Sequence, residues 1–436
     1  MKNKLYFETL GCSKNDIDTE VMISVLDKTK FELTENPFEA NIIVVNTCSF
    51  ILDSKTQSID AILEFSELKK HNLKYLIVAG CLGQRYPEDL LVEIPEIDGI
   101  IGTGEIGKIN NFLGEVLLGK RPVFVGDVNS KYVEDSKRID FKITQFVKIS
   151  EGCDNHCTYC IIPKLRGKHR SRPIENIVDE VRYLVQNGTK EVILIAQNTT
   201  DYGVDLYGKR SLGKLIKALN SIENLEWIRI LYMYPEGIDD ELIDAIKNCD
   251  KVCKYVDMPL QHINDDVLKL MGRKIDKKHV LELINKLRRE IPEIVIRTTF
   301  IVGFVNETSE AFEELKKFVA EYKLDKIGVF KYSLEEDTPA YKLGDNVSDE
   351  KKEDRFNALM ALQQEVSYKK LNSKIGKHLR AIVESKGEMY VGRTYMDAPG
   401  IDGVVYIKSD KELEIGNFYD IIITEATQYD TIAKTI

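Results

Sequence analysis

Residues 146–160 read Phe-Val-Lys-Ile-Ser-Glu-Gly-Cys-Asp-Asn-His-Cys-Thr-Tyr-Cys. An apolar strand pattern from Phe146 to Ser150 runs through Gly152 into Cys153, Cys157 and Cys160, spaced Cys-x3-Cys-x2-Cys. Soft thiolates crowded on a flexible loop suit an iron-sulfur cluster. Three ligands for four irons leave one iron open, and an open coordination position is where metal chemistry happens. A zinc site would need a fourth ligand; His156 is the candidate within the loop, and its neighbours make simultaneous ligation strained.

Outward from this loop, strand patterns recur at Glu191 to Ala196, Trp227 to Met233, Tyr255 to Met258, Val295 to Val302 and Ile327 to Tyr332, with helical patterns between them. Six such βα units imply a parallel barrel or a partial one, with active residues at the C-terminal ends of its strands. Upstream, Tyr6 to Leu10, Ile42 to Asn46 and Tyr75 to Ala79 alternate with helical segments Asp16 to Lys28 and Asp53 to Lys70. That alternation marks a second parallel sheet with crossover helices. Charged residues crowd Lys131 to Asp140, where a domain boundary is expected. Downstream, Ser348 to Asn372 reads as one long amphipathic helix. Four short strand patterns follow, Leu379 to Glu384, Met389 to Tyr395, Gly403 to Ile407 and Tyr419 to Thr424, which suggest a small antiparallel barrel. The expected fold is α/β throughout its first two parts, with domains at 1–130, 140–345 and 372–436.

A second group of thiols stands in the first part. Cys12, Cys48 and Cys81 each end a strand pattern, and in a parallel sheet such ends share one edge, where ligands bind. They converge on a second cluster, or they are three small buried apolar residues. Cys249 and Cys253 lack any partner pattern and read as structural. Gly102-Thr-Gly-Glu-Ile-Gly107 fits a dinucleotide fingerprint formally, but it follows a late strand and reads as a tight turn into a helix. No residue stands out as a catalytic acid, base or nucleophile.

Eight cysteines without a secretion-signal pattern argue for ligation or catalysis over disulfides, and the cytoplasm is the expected compartment. No apolar run approaches membrane-spanning length, so no membrane partner is expected. A formal charge of −10 disfavours a purely electrostatic grip on nucleic acid and suits a basic partner. From Lys374 to Ile436 eight lysines and arginines face ten acids, a net of −2. An RNA-gripping module would ordinarily be basic.

Cys153-Asp-Asn-His-Cys157-Thr-Tyr-Cys160, set after the first barrel strand, resembles the signature of the radical S-adenosylmethionine superfamily. Gly11-Cys12-Ser-Lys-Asn15, Asn46-Thr-Cys48, Ala79-Gly-Cys81, Ile161-Ile-Pro163, Arg166-Gly167 and Ser171-Arg172 resemble the methylthiotransferase family within it, over essentially the whole chain. The resemblance implies two 4Fe-4S clusters, one on each cysteine triad, and S-adenosylmethionine used both as methyl donor and as radical source. It places Tyr159 against the adenine and points to Gln197, Asn198, Gln261, Arg297 and Gly303 as further cosubstrate contacts. Tyr255-Val-Asp257-Met-Pro-Leu-Gln261-His262 and Asp397-Ala-Pro-Gly-Ile-Asp402-Gly403 resemble the branch that modifies the β-carbon of an aspartate in ribosomal small-subunit protein twelve. The other branch modifies an adenosine of transfer RNA. The ribosomal reading carries an external electron donor and nucleic-acid contact through the ribosome as further partners. Lys164, Arg166 and Arg170 are candidates to engage a target carboxylate or nucleic acid. The sequence departs from the family at Gly303-Phe-Val305-Asn306-Glu-Thr308, where the usual form is Gly-Phe-Pro-Gly-Glu-Thr.

Overall fold

The computed structural model describes residues 2–130 and 138–436. Most of the expected boundary segment, 131–137, lies outside them. A six-stranded parallel sheet opens the chain, ordered β2-β1-β3-β4-β5-β6. Its strands are β1 (Asn3–Thr9), β2 (Phe31–Leu33), β3 (Ile42–Thr47), β4 (Tyr75–Ala79), β5 (Ile97–Ile101) and β6 (Val123–Phe124). Every residue of β3 is buried, as a continuous Ile-Ile-Val-Val run in a doubly covered parallel sheet requires. Residues 102–107 form a turn into the helix Ile109–Leu117, as expected. Thr103 Oγ1 in that turn donates to the Leu165 carbonyl at 2.6 Å, so another part of the chain occupies the turn's face.

The middle of the chain adds β7 (Thr144–Lys148), a two-stranded pair of β8 (Ser150–Glu151) with β9 (Arg170–Ser171), then β10 (Glu191–Ile195), β11 (Trp227–Ile230), β12 (Tyr255–Asp257), β13 (Val295–Val302) and β14 (Lys326–Lys331). Parallel ladders β7-β10-β11 and β12-β13-β14 are joined by an isolated parallel bridge from Ile228 to Val252, giving a six-stranded arc. Val192, Leu194, Ile228, Val256 and Ile296 pack outward against the helices. Their neighbours Ile193, Ile195, Trp227, Tyr255 and Val295 face the other way, as period-two alternation demands. There they meet Ile17 and Val21 of the helix Ser13–Val25, and Ile382, Met396 and Ala398 from the end of the chain. Both flanking units therefore fill the inner face of the arc. The strand expected to reach Met233 stops at Ile230, and two residues on Tyr232 takes a left-handed backbone, φ +59°.

The helix Asp349–Asn372, capped by the Ser348 hydroxyl, leads into a closed barrel of β15 (His378–Lys386), β16 (Tyr390–Thr394), β17 (Val405–Lys408), β18 (Phe418–Ala426) and β19 (Thr431–Thr435). Four of these strands follow the sequence pattern. The fifth, β19, closes the barrel by a parallel pairing with β17.

A buried charge cluster locks this barrel to the arc. Glu191, fully buried, is 3.0 Å from Arg229 Nε and 2.6 Å from Arg393 Nη2, and accepts from Thr144 Oγ1 at 3.0 Å. Burial alone would raise the Glu191 carboxyl, but Arg229 and Arg393 hold it below its ordinary range. Beside it, Lys326 pairs with Asp397 at 2.6 Å and the Tyr255 hydroxyl donates to Asp402 at 2.7 Å. The 397–403 segment is thus a tie between domains.

Candidate active site

Cys12, Cys48 and Cys81 stand just beyond the C-terminal ends of β1, β3 and β4, three adjacent strands. Glycines draw these ends together. A Cβ on Gly11 would lie 2.6 Å from Cys48 Cβ and 3.1 Å from its Sγ. One on Gly80, φ +85°, would lie 2.2 Å from Asn46 Oδ1 and 2.7 Å from the Thr47 carbonyl. Only glycine permits both approaches. Burial pushes the Cys81 thiol up to about 12, with Arg166 opposing and Cys48 and Cys12 adding to the rise.

On the arc, the second triad follows β8. Gly152, φ +80°, brings the loop under the 167–168 backbone: a Cβ there would meet the Lys168 carbonyl at 2.0 Å. The Cys153 N–H donates to the Gly167 carbonyl at 3.1 Å. Tyr234 Oη lies 3.4 Å and Arg273 Nη1 3.8 Å from Cys157 Sγ, and Arg273 also stacks over the Tyr234 ring at 4.3 Å. Burial raises the Cys153 and Cys160 thiols. A cavity of about 850 Å³ opens beside Cys157 and Cys160, lined also by His156, Lys164 and Tyr341.

Among the described residues no group of three or more His, Cys, Asp or Glu side chains is already drawn together around a metal position. The donors on offer are thiols, the ligands of iron-sulfur clusters, and each triad is set by glycines that admit no side chain. The residues fit such a group. Its binding would take up thiolates and release their protons.

A buried network runs from Cys81 of the first triad to Glu151, two residues before the second triad begins. Arg166, from the helix Ile162–Arg166, reaches Asp18, donates to Asn15 Oδ1 at 2.7 Å and lies 3.5 Å from Cys81 Sγ. Lys148 joins Asp18 and Glu151, each at 2.6 Å. Burial opposes the Glu151 charge, but Lys148 and Arg166 hold that carboxyl below its ordinary range. Arg166 is thus committed inside the protein. Arg170 spends its guanidinium on the Val128, Arg166 and Lys168 carbonyls, while Lys164 is exposed and pairs with Asp337.

The residues singled out for the cosubstrate divide. Gln197 donates to Glu151, and its Oε1 is buried without a partner; Gln261 Oε1 is likewise buried and unpartnered. Such orphaned acceptors at strand ends are ready for a donor from a ligand. Tyr159 packs edge-on to Phe304, ring centres 6.4 Å apart. Asn198 turns inward on its own loop, bonding Thr200 and Asp201. Arg297 pairs with Asp257 at 2.8 Å and faces Asp402 at 3.6 Å, on the side of the C-terminal barrel. The structure does not bring it together with the cysteine loop. Gly303, φ +72°, and Phe304 donate their N–H groups to Glu307. In the departure that follows, Asn306 takes the left-handed conformation itself, φ +62°, and Val305 is buried, so the turn is kept. Tyr234 and Arg273 escaped the sequence reading, because only the fold brings them to the cysteines.

The radical SAM superfamily model matches residues 147–319, the uncharacterized protein family UPF0004 matches 4–102, and the TRAM domain matches 375–436. In fold the chain is similar to the radical S-adenosylmethionine methyltransferase TsrM from Kitasatospora setae, with TM-score 0.58, 13% identity and coverage of 78% of this chain and 77% of that one. It is also similar to the cobalamin-dependent radical enzyme OxsB, with TM-score 0.54, 13% identity and coverage of 83% and 56%. The class is therefore a radical S-adenosylmethionine enzyme, which uses that cosubstrate and a 4Fe-4S cluster, joined to a TRAM barrel.

Relatives named ribosomal protein uS12 methylthiotransferase RimO narrow the class. That of Lachnoclostridium phytofermentans is 48% identical, covering 98% of this chain and 99% of its own length. Those of Thermoanaerobacter sp. and Clostridioides difficile are 47% and 46% identical, covering 98% and 99% of this chain and 98% and 99% of their own. The chain belongs to the RimO family of radical S-adenosylmethionine methylthiotransferases. No helix among the described residues is long and apolar enough to cross a membrane.

Proposed function

We propose that this enzyme replaces a hydrogen on the β-carbon of an aspartate in ribosomal small-subunit protein uS12 with a methylthio group. The observation that carries the reading is the pair of glycine-set cysteine triads, the first tied through Arg166 and Asp18 to the Lys148 and Glu151 pair that precedes the second, on a chain 46–48% identical to the three RimO relatives named above. In this reading Cys153, Cys157 and Cys160 hold the 4Fe-4S cluster of the superfamily, and Cys12, Cys48 and Cys81 hold a second. When bound, the clusters supply an electron for reductive cleavage of S-adenosylmethionine and a site from which the methylthio group is delivered. Tyr159, Gln197 and Gln261 orient the cosubstrate, and Gly303 holds the adjoining turn. Tyr234 and Arg273 steady the Cys157 sulfur, and Arg166 does the same for Cys81.

The work divides by domain: 1–130 carries the second cluster, 140–345 the radical chemistry, and 372–436 substrate recognition. A basic ribosomal protein suits the acidic chain, and an external donor supplies the electron. The cytoplasm, where ribosomes are found, is the proposed compartment. Replacement of Cys153 by Ala is expected to abolish formation of 5′-deoxyadenosine, while Cys81→Ala keeps that cleavage and loses methylthio transfer. Loss of cleavage in neither variant, or transfer surviving in Cys81→Ala, would overturn the two-site assignment.

A further inference from the structure

Lys14 is the second residue of the helix Ser13–Val25, two positions beyond Cys12. It is 92% buried, its relative exposure being 8%. A cation at a helix N-terminus stands against the macrodipole, and a buried charge needs a partner of opposite sign. Its neighbours on the network have theirs: Lys148 and Arg166 share Asp18 and Glu151. Among the described residues no carboxylate lies within 4.0 Å of the Lys14 ammonium. Its contact is the face of Tyr232, 3.1 Å from the ring centre.

Tyr232 is held in an unfavourable conformation to provide that face. Its φ is +59°, costly for a bulky residue. The strand ends around it fix it there: its N–H donates to Asp257 Oδ2 at 2.8 Å, and its carbonyl accepts from the Thr199 N–H at 3.1 Å and hydroxyl at 3.1 Å. Two residues on, Tyr234 touches Cys157. The Lys14 ammonium therefore rests on a fixed aromatic platform, its helix beginning beside Cys12 and the platform lying two residues from the Tyr234 that touches Cys157, with no ion pair among the described residues.

We propose that Lys14 recognises the carboxylate of the side chain being modified, and so determines specificity for an acidic residue of a peptide. The inference rests on the aspartate reading above. The reacting carbon must meet groups supplied from both triads, so it passes through the space between them. In aspartate that β-carbon is bonded directly to the carboxylate, which puts an anion within reach of a cation at the transfer point. In an adenosine the ring carbons are separated from the nearest phosphate by the ribose, and a cation there has no anion to meet. A charge-assisted hydrogen bond on an aromatic platform gives affinity and also fixes orientation.

The test uses the full chain, reconstituted anaerobically with iron and sulfide, and two synthetic peptides of the uS12 target loop, one with aspartate and one with asparagine at the target position. Wild type is expected to bind the aspartate peptide at least about tenfold more tightly. In Lys14→Met that preference falls to about one, and Lys14→Arg restores most of it. Equal affinity of wild type for the two peptides overturns the proposal whether or not the variants fold. An unchanged preference in Lys14→Met overturns it as well, and a shifted reduction potential of the N-terminal centre with the preference intact reassigns the charge to the cluster. Methylthiolation of transfer RNA alone by wild type removes the aspartate reading itself; peptide methylthiolation with an indifferent Lys14→Met removes only the role of Lys14.

Discussion

Replacing Gly152 by alanine isolates the contribution of one backbone turn to the radical site. The residue has φ +80°, and a Cβ would lie 2.0 Å from the Lys168 carbonyl oxygen, 2.6 Å from its carbon and 2.6 Å from the Gly167 carbonyl. All three are backbone atoms that cannot swing aside. The left-handed conformation costs an L-residue about 1–2 kcal/mol, and overpacking adds about 1–3 kcal/mol, so Gly152→Ala is expected to destabilise the loop by about 2–5 kcal/mol. Gly188 is a control in the same domain: its φ is +101° with nothing within 4 Å of a Cβ, so alanine there carries the conformational cost alone. Iron and sulfide per chain after anaerobic reconstitution, with 5′-deoxyadenosine formation, read the outcome. Gly152→Ala should lose the iron of the radical site and the cleavage activity, keeping iron at the N-terminal triad; Gly188→Ala should keep both. Equal iron content and cleavage in the two variants would refute the argument that the Gly152 turn sets Cys153.

Glu191→Gln leaves Arg229 buried without its anion, while Arg393 keeps Glu384 at 2.7 Å, and is expected to cost about 3–5 kcal/mol, read by denaturant unfolding. Since the folded carboxyl is held below its ordinary range, that contribution is full above the unfolded value of 4.5 and is lost as pH falls through the folded value. The gap between wild type and Glu191→Gln should therefore narrow in acid, and a gap that widens there contradicts the ion-pair account. Tyr234→Phe removes the hydroxyl 3.4 Å from Cys157 Sγ and should leave cluster loading intact while making its reduction potential more negative, because a donor to the sulfur stabilises the reduced form; an unchanged potential in protein-film voltammetry counts against it. Asp402→Asn weakens the contacts to Tyr255 and Arg297 and should cost about 1–3 kcal/mol, with faster proteolysis at the C-terminal barrel; unaltered cleavage kinetics would show that the tie lies elsewhere.

Much of the molecule was legible from spacing. Period-two and helical patterns located the three strands β1, β3 and β4 of the first sheet and the six strands of the arc to within a few residues, because buried parallel strands write continuous apolar runs such as Ile42–Val45. Both cysteine triads were visible because thiols at strand ends are an unusual pattern. Three-residue β2 and the terminal β19 carry too little pattern to register, and β11 stops at Ile230, short of a left-handed Tyr232 that no propensity anticipates. The contacts around the cysteines were not legible: Tyr234 and Arg273 lie 77 and 116 residues from Cys157. Arg166, by sequence a candidate to engage a target carboxylate or nucleic acid, is buried by the fold against Asp18 from a different domain. The segment 397–403 resembles the ribosomal branch in sequence, and in the fold its acids are partners of Lys326, Tyr255 and Arg297.

The most direct test supplies the reconstituted enzyme with reductant and S-adenosylmethionine and analyses uS12 peptide and transfer RNA side by side by mass spectrometry. A methylthio group added to the aspartate of the peptide, at its β-carbon and with none on nucleosides, is the expected result; a methylthio group on adenosine with the peptide unmodified would contradict the account.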